Sequence, residues 1–150
     1  MGVTFDSFVE TAGPRLRAAL VAAYGIETGQ ESAAEALAYA WEHWERVERM
    51  DNPVGYLYRV GQTAARRSRR PHGFLPPPDS EEQPEVEPRL LPALAVLSDS
   101  QRVAVLMVHG YGWPIASVAD VLEVSVSTVR THLSRAMARL QAALEVDRVD

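Results

Sequence analysis

Residues 71–88, PHGFLPPPDSEEQPEVEP, are rich in Pro and acid and poor in apolar side chains. A segment of that composition buries too little to offset its ordering entropy, so an extended linker without a core of its own is expected. This constrains the fold more than any other feature. A chain of 150 residues is then divided into two short pieces, residues 1–70 and 89–150, each able to build only a modest core. With 47% hydrophobic residues both pieces have the material for one.

Charge changes sign at the same place. Residues 52–78 carry five Arg (Arg59, Arg66, Arg67, Arg69 and Arg70) and no acid, whereas residues 79–87 carry five acids and no base. The net charge of −5 argues against a free-standing nucleic-acid binder, because such affinity rests largely on phosphate neutralisation. The linker is expected to act as a tether between the two pieces or as a plain spacer whose acidic part folds back on the Arg block and screens it, and both can hold at different times. Cysteine is absent, which excludes disulfides and thiolate metal sites. No apolar run reaches membrane-spanning length and no secretory leader opens the chain, so a soluble, cytoplasmic protein without membrane insertion is expected.

The first piece reads as three helices. Thr4 or Asp6 is placed to cap a helix carrying Phe5, Phe8, Leu16, Ala19, Leu20 and Ala23, which Pro14 kinks or restarts. A second helix is expected from about Glu31 to Val47. Its Leu37, Ala38, Trp41 and Trp44 share one face, which predicts that both Trp side chains lie in the core. After the Asn52-Pro53 turn, PVGYLYRVGQTAARRSRR reads as a third helix ending in the Arg cluster. Tyr56 and Tyr58 interleaved with Arg suit single-stranded nucleic acid, where bases stack on rings; a solvated Arg-rich helix end is the plainer alternative.

The second piece ends in WPIASVADVLEVSVSTVRTHLSRAMARL, residues 113–140. Pro114 suits a first helical position, and Val118, Ala119 and Leu122 repeat at helical spacing. Ser125 is placed to cap a longer helix whose apolar stripe is Val129, Leu133, Ala136, Met137, Leu140 and Leu144. Its other side presents Ser127, Thr128, Arg130, Thr131, Ser134 and Arg135. A short helix, a tight turn and a polar-faced second helix make a helix-turn-helix, whose second helix enters the DNA major groove. An ordinary amphipathic hairpin with a solvated face is the alternative. Upstream, Ser98 and Gln101 have the spacing of a capping box.

Taken together, FDSFVETAGPRLRAAL, WEHWERVERMDNPVGYLYRV and the block from Leu97 to Leu140 resemble the bacterial extracytoplasmic-function sigma factors over residues 5–145. These are initiation subunits of RNA polymerase. The resemblance implies an all-α fold of two small helical domains, a three-helix region-two-like bundle (1–70) and a region-four-like helix-turn-helix (89–150), joined by the Pro/Glu-rich linker (71–88). It implies sequence-specific promoter binding and melting. Ser127, Thr128, Arg130, Thr131, Ser134 and Arg135 would read the upstream element. Tyr56, Arg59, Gln62, Thr63, Arg66, Arg67, Arg69 and Arg70 would capture the melted downstream element. Glu31, Glu35, Ala38 and Trp41 would dock on core RNA polymerase. An anti-sigma factor is a further implied partner, and no cofactor or metal is implied. At the polyproline rise the linker reaches roughly 55 Å, about 16 base pairs of duplex, so the two domains would occupy neighbouring promoter sites.

Three places along the chain depart from the family pattern. In the docking helix Leu, Val and Gln are replaced by Ser32, Ala33 and Ala34; two aliphatic side chains lost from an interface would cost on the order of a hundredfold in affinity. An Arg-Asn pair is replaced by Gln62-Thr63. The turn Gly of the helix-turn-helix is Glu123, which predicts strain of roughly 1 kcal/mol if the backbone there is left-handed. Such erosion also suits a sigma-like regulator that binds DNA without productive polymerase binding. A response-regulator-type DNA-binding domain shares the SVSTVRTH pattern but leaves residues 5–70 unexplained. A module sequestered by an inhibitory partner is a third class. His43, His72, His109 and His132 are scattered, with no paired carboxylates or phosphate loop, so no enzyme is expected.

Overall fold

A computed structural model describes residues 3–68 and 89–149, and every element among them is helical. Arg69, Arg70 and residues 71–88 lie outside the described residues, and so do the expectations placed on them. The helices are α1 (Phe5–Tyr24), α2 (Ile26–Glu42), α3 (Trp44–Val47), α4 (Pro53–Arg67), α5 (Leu90–Ala95), α6 (Asp99–Val105), α7 (Ile115–Leu122) and α8 (Val126–Val149). A π-helical turn, Leu106–Gly110, continues α6.

Thr4 caps α1, its hydroxyl accepting from the Ser7 amide at 3.2 Å. The helix runs through Pro14 as one element. A mid-helix Pro costs about 3 kcal/mol, but Leu16 and Leu20 beyond it are buried to 1% and 0% exposure and each contributes about 1.5–3 kcal/mol. Burial wins, and the helix does not restart. Gly25, at φ 90°, is the single residue between α1 and α2, a backbone state that a Cβ disfavours.

α2 begins at Ile26, earlier than the expected Glu31, and His43 separates it from α3. Its buried face is made of small residues, Gly29, Ser32, Ala33, Ala36 and Ala40. The expectation of two core Trp side chains is corrected for Trp41, which is 66% exposed, whereas Trp44 is half-buried and packs against the core. Small side chains let α1 and α2 approach closely, so the core takes the Gly/Ala stripe, while Trp41 lies outward against Phe5 and Trp44 packs at the core's edge on Phe8. The ring centroids of Phe5 and Trp41 lie 5.1 Å apart, and those of Phe8 and Trp44 5.3 Å.

In the second half, Ser98 and Gln101 form the capping box in both directions, each bond 3.2 Å. Pro114 is the N-cap of α7 rather than its first helical residue. Ser125 caps α8, accepting from the Thr128 amide at 3.1 Å. On α8, Val129, Ala136 and Leu140 are buried and Leu133 and Leu144 half-buried, but Met137 is 41% exposed, a correction to the expected stripe.

The halves do not sit apart. One apolar core runs through both, joining Leu16, Leu20 and Leu57 to Val103, Met107, Val118, Val121 and Val129. A smaller cluster of Leu94, Leu97, Val105, Ala136 and Leu140 fastens α5 to α6 and α8. Between the halves lies Arg102, only 4% exposed. Its Nε donates to the Ala22 carbonyl (2.6 Å) and Nη2 to that of Ala23 (2.5 Å) and to Asp99 (2.9 Å), while Nη1 donates to Leu97 (3.0 Å) and Leu94 (3.4 Å). The guanidinium thereby satisfies carbonyls at the C-terminal ends of α1 and α5, where helices leave acceptors unpaired.

Candidate nucleic-acid interface

Two polar surfaces meet the description of a nucleic-acid contact. The first is the N-terminal half of α8. Because Val129 and Ala136 point into the core, Ser127, Arg130, Thr131, Ser134 and Arg135 face solvent, and Thr128 is half-buried. The Ser125 hydroxyl bonds with those of Ser127 (3.0 Å) and Thr128 (2.9 Å), and Thr131 donates to the Ser127 carbonyl (3.1 Å). Thr128 is therefore engaged in the cap, which leaves Arg130 and Arg135 as the longest-reaching groups for base edges and phosphates, with the exposed Ser134 hydroxyl between them.

The turn before α8 is the locally strained point. Glu123 has φ 55° and ψ 44°, the left-handed conformation, as the replaced turn Gly implied. Its carboxylate pairs with Arg59 of α4 at 2.8 Å, across the two halves. Left-handed strain costs roughly 1 kcal/mol, and an ion pair whose Arg side chain is 62% exposed returns no more than about that much. Glu123→Gly removes both, so its stability in low salt should stay near that of the parent. In molar salt, where the pair is screened, the Gly variant should be more stable by about 1 kcal/mol. Thermal melts at the two salt concentrations check this; a variant less stable in both means the turn is unstrained.

The second surface is α4. Asn52 caps it, accepting from the Gly55 amide at 3.1 Å, and Pro53 fills its first turn. Arg59, Thr63, Arg66 and Arg67 are exposed, with Tyr56 and Gln62 half-buried beside them. Arg67 pairs with Glu35 of α2 at 2.9 Å, so a base of the downstream set and an acid of the polymerase set hold each other. The Arg59 guanidinium lies over the Tyr56 ring, 5.7 Å from its centroid. Arg46 of α3 donates to the hydroxyls of both Tyr39 and Tyr56, which lie 3.1 Å apart.

Tyr58 is corrected from a stacking candidate to a core residue at 3% exposure. Burial pushes its phenol far above the ordinary tyrosine range, Tyr24 and Asp99 push the same way, and the Gln62 side chain bonds to it. That neutral phenol favours the fold below the unfolded tyrosine pKa of about 10, and the advantage is lost as pH rises beyond it.

Glu31, Glu35, Ala38 and Trp41 all lie on the exposed side of α2. Two of the three altered docking positions do not. Ser32 and Ala33 are 3% and 1% exposed, and the Ser32 hydroxyl donates to the Gly29 carbonyl. Their small size serves helix packing, so the expected hundredfold loss from missing interface aliphatics does not arise at these two positions. Sequence reasoning missed Arg46 and Arg102. The signal for Arg102 was a lone cation heading the apolar run VAVLMV. Among the described residues no three His, Cys, Asp or Glu side chains gather as a metal site, and no helix is long and apolar enough to cross a membrane.

Residues 89–140 match the family model for sigma-70, region 4, which spans α5 to the apolar part of α8. Over 131 aligned residues the chain is 32% identical to the RNA polymerase sigma-E factor of Streptomyces antibioticus, covering 81% of this chain and 73% of that one. The chain belongs to the extracytoplasmic-function sigma factors. Its fold is similar to that of the sigma factor RpoE from Bartonella quintana, solved in complex with the anti-sigma factor NepR. That similarity has a TM-score of 0.62 at 21% identity, over 95% of this chain and 98% of the other. The 131-residue alignment is far longer than the region-four match, so this sigma factor's likeness extends into the half that carries α4.

Proposed function

We propose that this sigma factor contacts promoters through the two surfaces described above, one per half. As a sigma factor it directs RNA polymerase to specific promoters; the family is one of transcription factors, not enzymes. The observation that carries the assignment of roles is the exposed Ser/Thr/Arg face at the start of α8, held by a capped helix-turn-helix. Arg130 and Arg135 would pair with guanine edges or phosphates of the upstream element, with Ser127, Thr128, Thr131 and Ser134 as hydroxyl contacts. On α4, Tyr56, Arg59, Thr63, Arg66 and Arg67 would hold the melted downstream strand by stacking and phosphate contact. Gln62 would take part chiefly by positioning the tyrosines, and the role of Arg69 and Arg70 is proposed from sequence alone.

Glu31, Glu35, Ala38 and Trp41 would dock on core polymerase. The net charge of −5 fits a subunit whose DNA affinity is completed by the holoenzyme. The division into residues 1–70, 71–88 and 89–150, a cytoplasmic site of action and an anti-sigma partner are part of the same proposal. Run-off transcription from the chain's own upstream DNA, with and without it, tests the reading: a transcript that depends on the added chain is expected, and failure to bind core polymerase in a pull-down would sink it. Arg130→Ala and Arg135→Ala should each lower promoter affinity by about fivefold to a hundredfold, each bidentate contact being worth about 1–3 kcal/mol. Footprinting reads the outcome, and unchanged occupancy removes both residues from the recognition role.

A further inference from the structure

We propose that Tyr39, His43 and Arg46, at the junction of α2 and α3, form a further nucleotide site, which takes one unpaired base by stacking and its phosphate by a guanidinium. The proposal rests on the assignment of α4 to the downstream element, whose surface it extends. The groups form one strip. The Tyr39 and Tyr56 hydroxyls lie 3.1 Å apart, and their ring centroids 6.0 Å. Arg46 donates to both hydroxyls, and its guanidinium carbon lies 5.7 Å from the Tyr39 centroid. Beyond Tyr39, the His43 imidazole lies against the phenol ring, with centroids 4.2 Å apart and planes 23° from parallel. With Arg59 over Tyr56, rings and guanidinium groups alternate from α4 to the end of α2. An unpaired strand needs that alternation, faces for its bases and cations for its phosphates.

Exposure and charge set this end of the strip apart from a packing contact. His43 and Arg46 are both exposed, so a base can lie on the open side of the imidazole and lengthen a stack already two rings deep. Arg59 and Arg67 are each held by a carboxylate, whereas among the described residues none pairs with Arg46. Its partners are neutral hydroxyls, both reached through Nη2. They leave its charge uncompensated and the rest of its donor fork turned to a phosphate.

Holoenzyme assembled from core polymerase and the full chain tests the site, with fluorescein-labelled single strands of the chain's own upstream DNA as the probe, titrated over a range of salt. His43→Ala is expected to weaken binding about fivefold to a hundredfold, the worth of one stacked base. His43→Phe, which keeps a ring, should restore it. Arg46→Ala is expected to weaken binding and also to reduce the slope of log affinity against log salt by about 0.7, one phosphate contact on a single strand. Arg17→Ala removes an equal charge from the exposed side of α1 and should leave that slope as it is. Weaker binding by Arg46→Ala at an unchanged slope means that Arg46 only orients Tyr56, and overturns the proposal. Parental affinity in His43→Ala overturns it too, as does a slope reduced equally by Arg17→Ala. Arg66→Ala with Arg67→Ala keeps the two readings apart. Parental affinity in that variant sinks the α4 assignment and the further site with it; a loss there, beside parental affinity in His43→Ala and Arg46→Ala, removes the further site alone.

Discussion

Arg102→Met should destabilise the protein by about 3–5 kcal/mol, the range for removing one partner of a buried, fully bonded charge. The substitution roughly keeps the aliphatic volume, so packing is not the cause. What is lost is the donor set: the carbonyls of Ala22, Ala23, Leu94 and Leu97 and the Asp99 carboxylate all bond to this one guanidinium, at 4% exposure. Acceptors buried without partners cost about 1–3 kcal/mol each, and relaxation toward water returns part of that. In a domain of this size the midpoint should fall by about 10 °C. The unfolding curve should also separate into two transitions, because the two halves lose the group that ties α1 to α6. Arg102→Lys should recover little, since one ammonium cannot reach carbonyls on both sides as a planar fork does. Urea titration followed by circular dichroism checks this, and a loss below about 1 kcal/mol would mean that water replaces the guanidinium without penalty.

Gly29→Ala should be nearly as damaging, against helix propensity. In an isolated helix that change is worth about 1 kcal/mol in favour of Ala. Here the added Cβ would lie 2.5 Å from the Val21 amide nitrogen and 2.7 Å from the Leu20 carbonyl carbon, both backbone atoms of α1. Backbone cannot step aside as a side chain does, so α1 and α2 must move apart and loosen the contacts of Ala33, Ala36 and Ala40, each 1% exposed or less. Overpacking of this kind costs about 1–3 kcal/mol after relaxation. A thermal midpoint lowered by several degrees is the expected result. A midpoint equal to or above the parent's would mean that the interhelical distance is adjustable at this point.

The two variants mark the difference between what local chemistry shows and what it hides. Capping was legible: Thr4, Ser98 with Gln101, and Ser125 each perform the role their spacing implied. The left-handed Glu123 was foreshadowed only through the family resemblance, which places a turn Gly where this residue stands. The solvent face of α8 followed from its apolar stripe, except at Met137. The caps and that face depend on residues within four positions of one another.

The face of α2 was not legible. Two stripes compete on it, the large Leu37–Trp41 stripe, which Trp44 of α3 continues, and the small Gly29–Ser32–Ala36–Ala40 stripe, and helical period alone favours the more apolar one. The outcome depends on α1, whose backbone comes so near Gly29 that only small residues fit. The same dependence moved Tyr58 into the core and gave Ser32 and Ala33 a packing role in place of a docking one.

From the residues alone came the helices, their caps, the helix-turn-helix and the family. Those rest on interactions local in the chain or on the order of motifs along it. The shared core, the Arg102 bridge and the seating of Asp120 and Glu123 on Asn52, Gly55 and Arg59 came only from the folded chain. Each joins groups more than sixty positions apart, and no spacing rule carries across such a separation. Pro and acid in residues 71–88 announced two halves. Only packing could decide that the halves hold one another.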